Sequence, residues 1–374
     1  MKIKPFDVEI WMNRYEMQCA CNLAETCVDS LTLAELLNLT GRTQDYLSEL
    51  LPLRLGYGDI QGSPRLRTAI AALYERQTAD NVLVAHGAIG ANALVHTALV
   101  EPGDRVISLL PAYQQHHSIP ESIGADMQPL WLREDNGFQP DLDELRRRAE
   151  PGTKLIALTN PGNPTGALMD RAMLKELVQI ADACGAWILC DEVYRGTDQE
   201  GIGTTASIAD LYDKGISTGS MSKAFSLAGL RLGWIVAPRP VLEAASIHRD
   251  YNTISVGMLD DCLAAIALES AEAILTRSRH IVRENLAVLD RWIANEPRIS
   301  YVKPRAGTIA LLKYDSALNS EGFCVRLLEE TGVLLTPGSA FGMEGYLRIG
   351  YANHISILRE GLSRFSNFLR RLNV

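Results

Sequence analysis

No apolar run in the 374 residues reaches the roughly 18 that a membrane helix needs. The opening stretch MKIKPFDVEIWMNRYE carries Asp7 and Glu9 where a secretory signal would have its apolar core, so a cytoplasmic protein is expected. Cysteine is sparse. The seven present are odd in number and scattered, and Cys19, Cys21 and Cys27 lack a second ligand pair at zinc-like spacing. A disulfide framework and a metal site are thereby excluded, and reduced thiols are expected. Positive charge is in deficit, with 36 Lys and Arg against 45 Asp and Glu and a net charge of -9, which argues against a nucleic-acid partner. The short runs Arg146-Arg147-Arg148 and Arg370-Arg371 read as solvated helix faces. Internal repeats, low-complexity tracts and linkers are also lacking.

What is present is an ordinary globular composition, 47% apolar and 22% charged, in a chain longer than one core usually serves. From Asn81 to Ala237 short apolar segments alternate with longer amphipathic ones. NVLVAH, RVISLL, KLIALTN, AWILCDE, GISTGS and GWIVAP read as strands, several apolar almost throughout, as strands buried on both faces must be. The spacing predicts a helix over Arg171 to Cys184 with Gly185 as its stop. After Pro240 the pattern is helical to about Ala294. SYVKP, TIALLKYD, VLLTPG and YLRIGYA then close the chain in an α+β pattern. These features predict an N-terminal segment (1–50) packing with a smaller domain, a large domain (51–280) and the small C-terminal domain (281–374).

The most informative stretch runs from Ser220 to Trp234, SMSKAFSLAGLRLGW. Lys223, among small and apolar residues at a strand end, can be neutralised by desolvation, and a neutral amine is what an aldehyde cofactor needs. Ser220, Ser222 and Arg231 offer the hydroxyls and the bidentate cation that suit a phosphate dianion. Taken by itself the stretch reads more simply as a surface lysine beside a Ser-rich turn.

Other motifs stand in a fixed order around it. They are Tyr57 with Gly62 and Leu66-Arg67; the turn His86 to Gly90; Pro111-Ala112-Tyr113; Asn160 to Gly166 (NPGNPTG); Asp191-Glu192-Val193-Tyr194; Pro337 to Gly342; and Tyr346 to Gly350 (YLRIG). Together with S-x-S-K they resemble the class I/II aminotransferases, which are fold-type I enzymes dependent on pyridoxal 5'-phosphate (PLP), over roughly residues 50 to 365. The resemblance implies an α/β fold: a large domain with a mostly parallel central sheet and α helices on both faces, plus a smaller α+β domain. It implies PLP as cofactor, held as a Schiff base on Lys223, with Lys223, Asp191 and Tyr194 as catalytic residues. Asp191 would pair with the pyridine nitrogen and keep the ring an electron sink. Tyr194 and Asn163 would donate to the ring's phenolic oxygen. Ser220, Ser222, Arg231 and the backbone N–H groups of Ala88 and Ile89 would cup the phosphate, and Tyr113 would stack on the ring. Arg348, with Asn163 beside it, would take the substrate's α-carboxylate. Tyr57 would reach the cofactor phosphate of a neighbouring subunit, which implies a homodimer.

The reaction that the resemblance implies first is transamination of an L-α-amino acid. The sequence departs from the common pattern at Asn22 to Ser30 (NLAETCVDS), where relatives have a Gly- and Pro-bearing segment. Glu25 and Asp59 are therefore expected to face the substrate, where carboxylates suit a guanidinium or amine; they also read as solvated loop residues. With Y-G-D-I-x-G-S and Arg249 to Ser255, this pattern is similar to a branch containing PLP cyclodehydratases. Those enzymes convert hydroxylated arginine into cyclic guanidino amino acids such as enduracididine or capreomycidine, so cyclodehydration is the alternative. A non-catalytic ligand-sensing aminotransferase-like domain is a third reading. It is disfavoured because the residues before Tyr57 carry no basic helix-turn-helix pattern.

Overall fold

The computed structural model describes residues 2–42, 45–201 and 203–372. Seven strands form the central sheet in the order Val82–Ala85, Gly233–Val236, Gly215–Ser220, Trp187–Asp191, Leu155–Thr159, Arg105–Leu110 and Asp126–Trp131. Gly233–Val236 runs antiparallel to both of its neighbours, and the other pairs are parallel. Side chains alternate across each strand, and both faces are apolar. Leu155, Leu189 and Ile216 pack on one side with Ala91, Leu94 and Val95 of helix Gly87–Leu99. Ile156, Leu158, Ile188 and Cys190 pack on the other with Leu174, Leu177 and Ile180 of helix Arg171–Cys184. That helix spans the predicted residues. It starts where the Asp170 carboxylate accepts from Met173 N–H, and stops at Gly185, whose φ of 77° is left-handed.

The six strands read from sequence are all present, but Asp126–Trp131 was missed. It lies at the sheet edge, mostly solvent-facing, so it lacks the buried-strand signature. It also contains Pro129, which an edge strand tolerates because one side of its backbone needs no partner.

A second, four-stranded antiparallel sheet is ordered Thr336–Pro337, Tyr346–Gly350, Ile309–Tyr314, Ile299–Tyr301. Helices Ala271–Ile293, Ser320–Thr331 and Ile355–Arg371 share its core through Val282, Leu286, Phe323, Leu327, Phe365 and Phe368. The N-terminal residues join the same core. Cys21–Asn22 pairs in parallel with Val333–Leu334, and Trp11 of the first helix (Asp7–Tyr15) donates from Nε1 to Leu335 O at 2.9 Å. Leu36 lies instead with Ala264, Leu268 and Leu275, and Leu37 and Tyr46 lie against Ile266. Among the described residues no helix is long and apolar enough to cross a membrane.

Candidate functional site

The parallel strands end at Asp191 and Ser220 beside a cavity of about 300 Å³, at the carboxyl ends of the strands, where open α/β folds collect ligands. Of the residues singled out in the sequence, Glu25, Ala88, Ile89, Tyr113, Asn163, Asp191, Tyr194, Ser220, Ser222, Lys223, Arg231 and Arg348 line this cavity. The chain positions 25 and 348 meet here because Gly350 N–H donates to Leu23 O at 2.7 Å, which lays the segment before Glu25 along strand Tyr346–Gly350.

One end of the cavity is built to hold an anion. Helix Gly87–Leu99 begins there with no side-chain cap on its first turn, leaving its amide donors directed outward. Gly233 makes the approach possible: a Cβ on it would stand 2.4 Å from Gly87 C and 2.6 Å from Ala88 N. Ser220 and Ser222 are buried beside it, and the Arg231 guanidinium, exposed, passes within 3.1 Å of where a Gly87 Cβ would sit.

At the sheet floor Asp191 is 4% exposed and has no cation within ion-pair distance among the described residues. Burial pushes its carboxyl up, and this is opposed by donors from Asn92 Nδ2 at 2.8 Å and Val193 N–H at 3.1 Å and by the more distant charge of Lys223. A buried carboxylate in that setting calls for a cation that the described protein residues do not supply.

Lys223 is half-buried, and its Nζ donates to Thr26 Oγ1 at 2.5 Å, with Cys27 Sγ at 3.7 Å. Its surroundings oppose the neutralisation by desolvation that the sequence suggested. Burial disfavours the charge, but Cys27, Tyr194 and Glu25 outweigh it, and the lysine pKa lies above its ordinary value. Cys27 is itself pushed up to about 11, chiefly by burial, so at neutral pH the thiol is uncharged and Glu25 is the anion that matters. Glu25 is suited to that. Burial opposes its ionisation, yet Lys223 and the N–H groups of Thr26 and Cys27, which donate to Oε1 at 2.6 and 2.8 Å, bring its pKa below the usual range. Glu25 therefore faces the lysine rather than standing free as a loop carboxylate.

Arg348 is 3% exposed and, among the described residues, has no carboxylate within ion-pair distance. Its Nη1 donates to Asn163 Oδ1 at 3.3 Å and its Nη2 to Thr336 Oγ1 at 3.2 Å, its guanidinium carbon lies 5.0 Å from the Phe341 ring centroid, and Nε has no partner among the described residues. Burial lowers its pKa. A fixed, buried, incompletely bonded guanidinium is a receptor for a carboxylate.

Sequence reasoning missed the wall opposite the sheet. The first helix and the residues after it contribute Val8, Glu9, Met12 and Glu16, and Tyr113 OH donates to Glu9 Oε1 at 2.5 Å. The signal was available: positions 9, 12 and 16 fall on one face at helical spacing. Thr26, Cys27 and Asn92 were missed as well. Asn92 is a lone amide in an otherwise apolar stretch of helix. Tyr57 and Asp59, by contrast, are exposed and do not line this cavity; Tyr57 is 81% exposed.

Comparison with known proteins matches residues 40–358 to the family described as aminotransferase class I and II. Capreomycidine synthase of Streptomyces vinaceus is 33% identical over 363 residues, covering 97% of this chain and 93% of that protein. A PLP-dependent aminotransferase from Streptococcus suis 89-1591 superposes with a TM-score of 0.96 at 44% identity, covering all of both chains. The PLP-dependent cyclase OrfR superposes with a TM-score of 0.92 at 30% identity, covering 99% of this chain and 98% of that one. The cavity suits PLP on its own chemistry: an amine for the aldehyde, an anion site for the phosphate and a buried unpaired carboxylate for a protonated ring nitrogen.

If Glu25 holds the proton on Lys223, Glu25→Gln should lower the lysine pKa and enlarge its neutral fraction at a given pH. The rate at which cofactor-free protein captures added PLP, followed by absorbance across pH, should then rise at lower pH than in the parent. Superimposable profiles would show that Glu25 does not set the lysine's charge.

Proposed function

The chain belongs to the class I and II aminotransferases and uses PLP, and from that premise we propose that it is a cyclodehydratase of a hydroxylated arginine, yielding a cyclic guanidino amino acid. The observation that carries the substrate class is the charge of the cavity. Glu9, Glu16 and Glu25 line it together with Arg348, and among the described residues none of the three carboxylates has a cationic partner within ion-pair distance. An amino acid with a carboxylate at one end and a guanidinium at the other matches both sets, whereas a dicarboxylic substrate would set its second carboxylate against the acids. The ring-closing reaction is supported by the likeness to capreomycidine synthase and to the cyclase OrfR over nearly the whole chain.

When bound, PLP supplies an electrophilic carbon for the substrate amine and an electron sink for the α-carbon. The protein residues do the rest. Arg348 and Asn163 hold the α-carboxylate, and Glu9 and Glu16 receive the guanidinium through charge-assisted hydrogen bonds. Lys223, neutral when it acts, would take the α-proton and, with Glu25 holding that proton on the amine, deliver it to the departing hydroxyl as water; the guanidino nitrogen that bonds to the carbon the hydroxyl leaves loses its own proton, which returns to the α-carbon. Asp191 holds the ring nitrogen protonated and Tyr194 donates to the phenolic oxygen. Ser220, Ser222, Arg231 and the amides of Ala88 and Ile89 hold the phosphate, and Tyr113 packs on the ring. The first helix, which lines the cavity with Val8, Glu9 and Met12, would shield the reacting carbon from water.

Transamination is the second reading, favoured by the 44% identity to the Streptococcus suis aminotransferase. The working unit in our proposal is a homodimer, with Tyr57 and Asp59 serving the partner subunit's cavity. Tyr57, Leu51 and Tyr251 are 81, 82 and 92% exposed, large side chains better suited to a subunit interface than to water. Seven free thiols suit a cytoplasmic setting.

With hydroxyarginine, the product should be lighter than the substrate by one water, with no keto acid released. A keto acid and the amine form of the cofactor would establish transamination instead. Glu9→Gln and Glu16→Gln should each raise KM for arginine-type substrates by roughly 10-fold or more, the worth of a charge-assisted hydrogen bond, and leave the resting absorbance band in place; unchanged KM in both would remove the guanidinium assignment. Sedimentation should give twice the 41.1 kDa chain mass, and a monomer at working concentration would exclude the shared site.

A further inference from the structure

Asp191 lies between two neighbours that no motif in the chain brings to notice. Asn92, in the second turn of helix Gly87–Leu99, donates from Nδ2 to Asp191 Oδ2 at 2.8 Å. Thr218, on strand Gly215–Ser220, donates from Oγ1 to Asn92 Oδ1 at 2.7 Å. Thr218 and Asp191 are partners in register on adjacent parallel strands. Asn92 and Thr218 have no solvent exposure. Three elements thus converge on one carboxylate, whose second oxygen accepts from Val193 N–H.

We propose that Asn92 is a positioning residue for Asp191, that Thr218 fixes the orientation of its amide, and that the trio holds the ring nitrogen of PLP in its protonated form. A carboxamide can occupy its place in two orientations, only one of which presents N–H to its neighbour. Rotated by half a turn, Asn92 would set its carbonyl oxygen against the carboxylate. The Asp191 carboxylate, which only accepts, selects the orientation that presents N–H, and the Thr218 hydroxyl, donating to Oδ1, anchors the amide there. The donor matters because the carboxylate is buried with Lys223 as the charged side chain whose field reaches it, and burial alone would drive it toward the neutral acid. A neutral acid cannot keep a pyridine nitrogen protonated, and the ring would then be a weaker electron sink. This role rests on PLP being the cofactor and is independent of whether the reaction closes a ring or transfers an amino group.

The test is the 15N chemical shift of holoenzyme loaded with PLP labelled at the ring nitrogen, which reports protonation directly. The parent and Thr218→Ser should show the protonated value. Asn92→Leu, which keeps side-chain volume and removes the donor, should move the signal toward the unprotonated value and lower kcat by roughly 10- to 100-fold with KM little changed. A folded Asn92→Leu enzyme that binds PLP with an unshifted signal would overturn the proposal. Should that variant fail to fold, Thr218→Val decides: a signal displaced part of the way supports the relay, and one identical to the parent overturns it.

Discussion

Residues 20–31 are held on both sides by backbone hydrogen bonds, and the cavity depends on that. On one side Ala20 and Cys21 donate to Gly332 O, Leu23 donates to Leu334 O, and Asp29 donates to Ala352 O. On the other, Leu31 donates to Ser226 O at 3.0 Å and Val28 to Lys223 O at 3.4 Å. A segment that pairs with the C-terminal sheet and also with the lysine turn has little freedom left. Gly350 shows how close the pairing is, since a Cβ there would lie 1.7 Å from Glu25 O. Glu25, Thr26 and Cys27 are thereby brought to the lysine, although almost two hundred positions separate them from it in sequence.

The charges inside follow from that placement. Burying Lys223 and Arg348 is costly unless anions accompany them, and the two are treated differently. Lys223 lies, beyond ion-pair distance, in the field of Glu25, whose own ionisation is secured by two backbone amides. Arg348, among the described residues, bonds to neutral acceptors and a ring face, with Glu25 and Glu9 acting on it only at longer range, and burial still lowers its pKa. The cation left without an anion is the one assigned to a substrate carboxylate, and Asp191, the anion left without a cation, is the one assigned to the cofactor ring. In both places the protein holds half of an ion pair, and the ligand completes it.

The sheet was legible where local chemistry and fold agreed. Strands buried on both faces are apolar nearly throughout, and helix Arg171–Cys184 carries its start and stop signals in Asp170 and Gly185. Asp126–Trp131 was not legible, since an edge strand faces water and can hold a proline. Motif residues such as Lys223, Asp191, Asn163 and Arg348 were legible because their type and order are distinctive. Glu9 and Glu16 were not, because a carboxylate on an amphipathic helix looks the same whether it faces solvent or a cavity.

The chain by itself determined its family and its cofactor and marked the residues expected to serve that cofactor, since each lies in a short motif that reads locally. Tertiary structure decided the electrostatics. It placed Glu25 where its charge acts on Lys223, lined the cavity with two more acids from the first helix and the residue after it, brought Asn92 and Thr218 to Asp191, and left Tyr57 and Asp59 outside this chain's own cavity. These are long-range facts: the energy of a charge depends on which groups the fold brings within a few ångströms of it, and sequence order does not specify that distance.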